Sequence, residues 1–203
     1  MDFGLKRIEN RFGCEVDKNL ISEVYLFLLN ESSTLHAGEG SYLDKEEEAQ
    51  ILLSYIKQQN LYYHGLQFSV FLDEGAEQKV FFDEENKKVI KLNDAIFYVN
   101  WTQYFESIIV HNILFKETQY ELLGFMVVNE LIYSVVSQDY IAPTAKTEVN
   151  DIKELLLKKG FSIKKNNDYI HTDLGLIIED LHEENVLVRK GQLFFIDTVI
   201  YLK

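Results

Sequence analysis

The stretch Ile177-Ile178-Glu179-Asp180-Leu181-His182-Glu183-Glu184-Asn185-Val186-Leu187-Val188, followed by Leu193-Phe194-Phe195-Ile196-Asp197, concentrates the chemistry of the chain. A carboxylate (Asp180), an imidazole (His182) and a carboxamide (Asn185) fall within six residues, and a second carboxylate, Asp197, follows the asparagine by twelve. The run before Asp197 is apolar and reads as a strand, as does the run after Asn185, with Lys190-Gly191 as the turn between them. Two strands returning in this way bring Asn185 and Asp197 close together. Oxygen ligands so presented suit Mg²⁺, which keeps several waters and takes one or two protein oxygens plus substrate phosphates. Asp180 is then left to orient or deprotonate a hydroxyl.

Upstream of this stretch the hydrophobic period alternates between helix and strand. Residues 21–29 read as a helix. A stronger one follows Asp44, a good N-cap, with Glu46, Glu47 and Glu48 in the first turn and Ala49, Leu52, Leu53 and Ile56 as its apolar stripe. From Gly65 the period becomes two, through Leu66, Phe68, Val70 and Leu72, and residues 78–82 and 88–92 are two more strands around a polar turn. Residues 102–115 return to helical spacing. Residues 121–128 and 131–138 form a hairpin at Asn129-Glu130, and residues 147–159 form a helix stopped by Gly160. The expected order is αα, βββ, α, ββ, α, βββ, with strands at 176–178, 186–188 and 193–196.

Here D-L-H-x-x-N-V-L followed by F-I-D resembles the catalytic loop and metal-binding aspartate of kinase-like phosphotransferases. His182, two residues after the aspartate, is similar to the aminoglycoside and choline kinase type. The whole chain resembles the compact kinase-like domains of polyvalent proteins from bacterial phages and mobile elements. It supplies the hinge-like Val136-Ser137-Gln138-Asp139-Tyr140-Ile141, then Gly160-Phe161, then Asp180 to Leu187, in that order. The resemblance covers residues 65–200 or so and implies an α+β, two-lobed fold with an antiparallel N-lobe sheet and a reduced C-lobe. In that plan residues 1–60 are a helical extension packed on the domain, 61–141 the N-lobe and 142–203 the C-lobe. It implies ATP and Mg²⁺ as ligands, with Asn185 and Asp197 on the metal and Asp180 facing a hydroxyl acceptor. Lys91, on the third strand, would anchor phosphate, with Glu106 of the next helix holding that lysine. The backbone of Asp139, Tyr140 and Ile141 would line an adenine pocket.

The chain also departs from the pattern. Only Gly75 stands in the acidic turn Asp73-Glu74-Gly75-Ala76-Glu77, where a glycine-rich phosphate loop is usual, and acids there repel phosphates. Glu179 and Ile178 replace the residues usual before the catalytic aspartate, and Thr198-Val199 follows Asp197 in place of Phe-Gly. Six residues follow Asp197, so no peptide-substrate platform and no full protein-kinase activity are expected. Two readings therefore stay open: a minimal ATP-dependent phosphotransferase, and a catalytically inactive kinase-like interaction domain with a protein partner.

Bulk properties fit either. The chain has 203 residues, 47% of them apolar, enough for one domain or two small lobes. Its 33 acidic and 20 basic side chains give a formal charge of −13, which makes nucleic acid and anionic membrane poor partners. Cys14 is the single cysteine, so no internal disulfide forms, and it is read as inert. Without an apolar leader or a membrane-length apolar run, a cytoplasmic location is expected. His64, His111 and His171 have no partners at metal-ligand spacing, and His182 is read as a structural hydrogen-bonder.

Overall fold

The computed structural model describes residues 3–35, 43–75, 78–165, 167–179 and 181–203. The fold is α+β. Three helices come first, α1 (Phe3–Phe12), α2 (Leu20–Leu35) and α3 (Lys45–Gln59). The last of these begins as its sequence dictates. The Asp44 carboxylate accepts from the Glu47 amide at 2.8 Å while the Glu47 side chain accepts from the Asp44 amide at 3.2 Å. Its other end closes on Asn60, in the left-handed region at φ 54°.

A five-stranded antiparallel sheet follows, built from β1 (Val70–Glu74), β2 (Gln78–Asp83), β3 (Lys88–Asn93), β4 (Glu121–Val128) and β5 (Leu131–Asp139). Its spatial order is β1-β2-β3-β5-β4, with α4 (Trp101–Leu114) inserted between β3 and β4. Asn129 and Glu130 turn the β4–β5 hairpin with positive φ at both positions, the two-residue turn whose twist matches the strands. Gly124 sits at a bulge in β4 with φ +138°, and a Cβ there would lie 2.6 Å from the Leu61 carbonyl oxygen. That approach lets residues 61–63 run beside β4, where Phe125 N donates to Leu61 O and Tyr63 N to Phe125 O, both at 2.8 Å.

The remaining chain holds α5 (Val149–Lys158) and six short strands: β6 (Ser162–Ile163), β7 (Tyr169–His171), β8 (Leu176–Glu179), β9 (Val186–Arg189), β10 (Gln192–Phe195) and β11 (Val199–Leu202). β9 and β10 form a hairpin on Lys190-Gly191, both at positive φ, and the other four make a sheet ordered β11-β8-β7-β6. No helix among the described residues is long and apolar enough to cross a membrane.

Two apolar clusters hold these parts. One gathers Leu5, Ile8, Ile21, Val24, Tyr25 and Leu28 of α1 and α2 with Trp101 and Phe105 of α4 and Phe125 of β4. The other joins Val110 and Phe115 to Ile152, Leu156, Ile178, Val186 and Phe195. α4 thus contributes to both and is buried on most of its circumference. A third, smaller cluster covers the opposite face of the five-stranded sheet, around Ile90, Leu92 and Val135.

Several sequence expectations are corrected here. Leu66 and Phe68 lie in a 3₁₀ turn, not in a strand. Phe68 is 79% exposed, so the alternation that suggested a half-buried strand has no buried face there. α1 gives little signal because, among its residues with described burial, only Leu5 and Ile8 are buried, amid polar neighbours. β8 pairs with β7 and β11, and the strands β6, β7 and β11, absent from the expected order, are two to four residues long, too short to show a period.

Candidate active site

Lys91 occupies the middle of β3, directly opposite Val80 on β2 and Val136 on β5. Directly paired residues share a face, so its side chain rises from the face that α4 and the C-terminal segment cover. The residue is 3% exposed. Its ammonium donates to the Ile196 carbonyl at 2.5 Å, stands 3.8 Å from Asp197 Oδ2 and lies 5.4 Å above the Tyr120 ring. A buried cation needs such partners, and here they come from a carbonyl, a carboxylate and a π face.

Asp197 reaches this position through the β9–β10 hairpin. Phe195 pairs with Val186 at its open end. Just beyond, the Asn185 carbonyl accepts from the amides of Ile196 at 3.0 Å and Asp197 at 3.4 Å. Asn185 and Asp197 are therefore adjacent, and the Asp197 side chain keeps 30% exposure. Its Oδ2 also accepts a hydrogen bond from Gln78 Nε2, a residue at the start of β2. His182 is bonded within its own loop: Glu184 N donates to its Nδ1 at 3.3 Å, and its Nε2 lies 3.4 Å from the Asn185 carboxamide. Asp180 lies outside the described residues.

The segment on either side of Asp197 is clamped from α4 and the residues that follow it. Tyr120 Oη donates to Ile196 O at 3.0 Å, Thr118 Oγ1 to Phe195 O at 2.6 Å, and Ile200 N to Ser107 Oγ at 3.0 Å. His111 is fully buried. Its Nε2 donates to Thr118 O at 2.9 Å and its Nδ1 accepts from Thr198 Oγ1 at 2.7 Å, the tautomer that satisfies both partners. Burial pushes its pKa down to about 3, against the raising effect of the Thr118 carbonyl and with a smaller lowering by Lys91. The unfolded chain takes up this proton near its ordinary pKa of about 6.5. Between there and about 3 the unfolded state holds more protons, so stability falls as pH falls, by up to about 1.4 kcal/mol per pH unit from this group. His111→Gln should flatten the wild-type dependence of unfolding free energy on pH across that window, as denaturant titrations at pH 4 and 7 would show; an equally steep variant would contradict the assignment.

Glu106 does not join Lys91. Its carboxylate accepts from Arg7 of α1 and, at 3.0 Å, from the Tyr25 hydroxyl of α2. Burial raises its pKa, opposed by Arg7 and the Tyr25 hydrogen bond. The expectation that it holds the lysine is corrected: the helix faces Lys91 and Asp197 with Tyr104, Ile108 and His111, which line the narrow gap there together with Gln78. Glu106 is two residues, or about 200°, from both Tyr104 and Ile108, hence on the far side of the helix. Of its apolar neighbours, Ile109 and Ile113 pack in the cluster that includes α1 and α2, while Val110 joins the second cluster. A helix buried nearly all round gives no single stripe by which to choose its face.

Residues 139–141 leave the sheet beside this site. Asp139 is ion-paired with Lys88 at 2.7 Å, the Tyr140 amide donates to Lys87 O at 2.9 Å, and Ile141 is buried. The Tyr140 ring lies 4.8 Å from that of Phe82. Register places Phe82, Val80 and Val89 on the same face as Lys91, all half-buried. The chain then crosses to the hairpin, where Thr144 N donates to Val188 O at 2.8 Å and Thr147 Oγ1 to Val186 O at 2.5 Å. So one connector links the sheet carrying Lys91 to the hairpin carrying Asn185 and Asp197.

Among the described residues no three His, Cys, Asp or Glu side chains gather to hold a metal. Asn185 and Asp197 carry only oxygen atoms as anionic or carbonyl donors, the donor chemistry that suits Mg²⁺ better than a cation seeking nitrogen or sulfur. Gln78, Thr118, Tyr120 and His111 were not singled out for this site from sequence, since each acts through partners distant in the chain. No curated protein and no solved structure gives a significant match. A family model described as serine/threonine/tyrosine kinase found in polyvalent proteins matches residues 45–203, taking in α3 and everything after it. With that match extending over the sheet of Lys91 and the hairpin of Asn185 and Asp197, the chain belongs to the kinase family found in polyvalent proteins.

Proposed function

We propose that this chain binds ATP with Mg²⁺ between the five-stranded sheet and the β9–β10 hairpin and transfers the terminal phosphoryl group to a hydroxyl acceptor. The observation that carries the reading is the approach of Lys91 from β3 to within 3.8 Å of the Asp197 carboxylate, beside the loop whose Asn185 carbonyl accepts from the Asp197 amide. In this reading the sheet with α4 is one lobe and residues 142–203 are a second, reduced one. The half-buried face of Val80, Phe82 and Val89, with Tyr140 at its edge, receives the adenine, and the backbone of residues 139–141 lies along its rim. Lys91 turns its ammonium from Ile196 O and Asp197 toward a phosphate, where a fixed charge in a dry site has its largest effect. Asn185 and Asp197 hold Mg²⁺, which when bound neutralises charge on the phosphates. Asp180 takes the proton of the acceptor hydroxyl as its oxygen bonds to phosphorus and the bond to the ADP oxygen breaks. Glu106 is left out of this chemistry and joins α1 and α2 to α4.

One observation favours a second reading, in which the chain binds nucleotide without turnover. Tyr104, Ile108 and His111 stand where a glutamate partner for Lys91 would be needed. Incubation with γ-labelled ATP and Mg²⁺, with small alcohols, sugars and the protein itself as acceptors, separates the two. Labelled product that disappears in Asp180→Asn and Asp197→Ala supports transfer. Tight nucleotide binding with no label transferred supports the second reading.

A further inference from the structure

Asp197 is held asymmetrically. Oδ2 accepts from Gln78 and faces Lys91 at 3.8 Å, while Oδ1 accepts no hydrogen bond from the described residues. Gln78 lies 119 residues away in sequence and is firmly based. It opens β2, pairs with Asn93 of β3, and its carbonyl accepts from Gly75 N at 2.9 Å. Its side chain shares the face of Lys91, two residues along the strand from Val80. A neutral carboxamide does not cancel the charge of Asp197. What it does is stop the carboxylate from rotating, so that one oxygen is occupied and the other is presented.

We infer that Gln78 is a positioning residue that orients Asp197 for Mg²⁺ bound with a nucleotide. The inference rests on the reading of the site given above. Partners that hydrogen-bond a ligating carboxylate change metal affinity by about 10- to 100-fold when removed. Gln78 would thus link the β1–β2 hairpin, which lacks the usual run of glycines, directly to the metal ligand.

The test is calorimetric titration of ATP into the full chain at a series of fixed Mg²⁺ concentrations, for wild type, Gln78→Ala and Gln78→Met. Methionine keeps the length and bulk of glutamine but donates no hydrogen bond. Both variants are expected to need about tenfold more Mg²⁺ or higher for the same ATP affinity, with metal-free ATP binding unchanged and metal-free melting lowered equally in both. Normal Mg²⁺ dependence in Gln78→Met, with a loss only in Gln78→Ala, would assign Gln78 to packing and overturn the inference. Tighter Mg²⁺ binding in both would make Gln78 a competitor of the metal and also overturn it. A wild type with no Mg²⁺-dependent binding at all would remove the reading of the site itself.

Discussion

Lys91→Met is expected to lower phosphoryl transfer by about 10²- to 10³-fold while leaving the protein folded. The estimate is that for removing one preorganised electrostatic partner from a water-poor site. The fold should survive because methionine matches the lysine stem in volume, and replacing a buried charge by a well-packed apolar chain is often neutral or stabilising. The cost falls elsewhere. Without the ammonium, Ile196 O and Asp197 Oδ2 lose a partner, and on the proposed reading a bound phosphate would lose its cation. Arg at this position is not a conservative replacement, because the buried ammonium would give way to a larger planar group. Steady-state kinetics beside a melting curve decides it: unchanged turnover, or an unfolded variant, would contradict the assignment.

Phe105→Ala is expected to cost about 3–5 kcal/mol of stability. Phe105 is fully buried at the centre of the larger cluster, with the rings of Trp101, Tyr104 and Phe125 within 6.3 Å centroid to centroid. It sits on the helix that also supplies Val110 to the second cluster, so a cavity there loosens both. Domains of this size have roughly 5–15 kcal/mol in total. The loss corresponds to a midpoint lower by about 6–20 °C. Chemical denaturation would measure it, and a loss below about 1 kcal/mol would show that the two clusters do not depend on α4 in this way.

How legible all this was depended on how local each feature is. The β4–β5 and β9–β10 hairpins could be read from the polar two-residue breaks Asn129-Glu130 and Lys190-Gly191 between apolar runs, where the two-residue turn takes positive φ at both positions. The Asp44 cap declares itself within four residues. The adjacency of Asn185 and Asp197 follows from one hairpin, and the structure brings them together. Glu106 was misplaced because choosing the face of a helix needs a contrast between apolar and polar sides, and α4 has little. Gln78 and Tyr120 act across long sequence separations on a carboxylate and a carbonyl, and no spacing rule reports such a meeting. The strand after Asp197 was invisible for a related reason: its four residues make sense only against β8.

The most direct test of the central claim is thermal denaturation of the wild type and Asp197→Ala with no ligand, with ATP, with Mg²⁺, and with both. A ligand at 100-fold its dissociation constant adds roughly 2.7 kcal/mol to stability, about 5–10 °C for a domain of this size. A shift of that order is expected in the wild type, needing ATP and Mg²⁺ together and absent from Asp197→Ala. A wild type unmoved by millimolar Mg²⁺-ATP, or an Asp197→Ala variant shifted as far as the wild type, would contradict it.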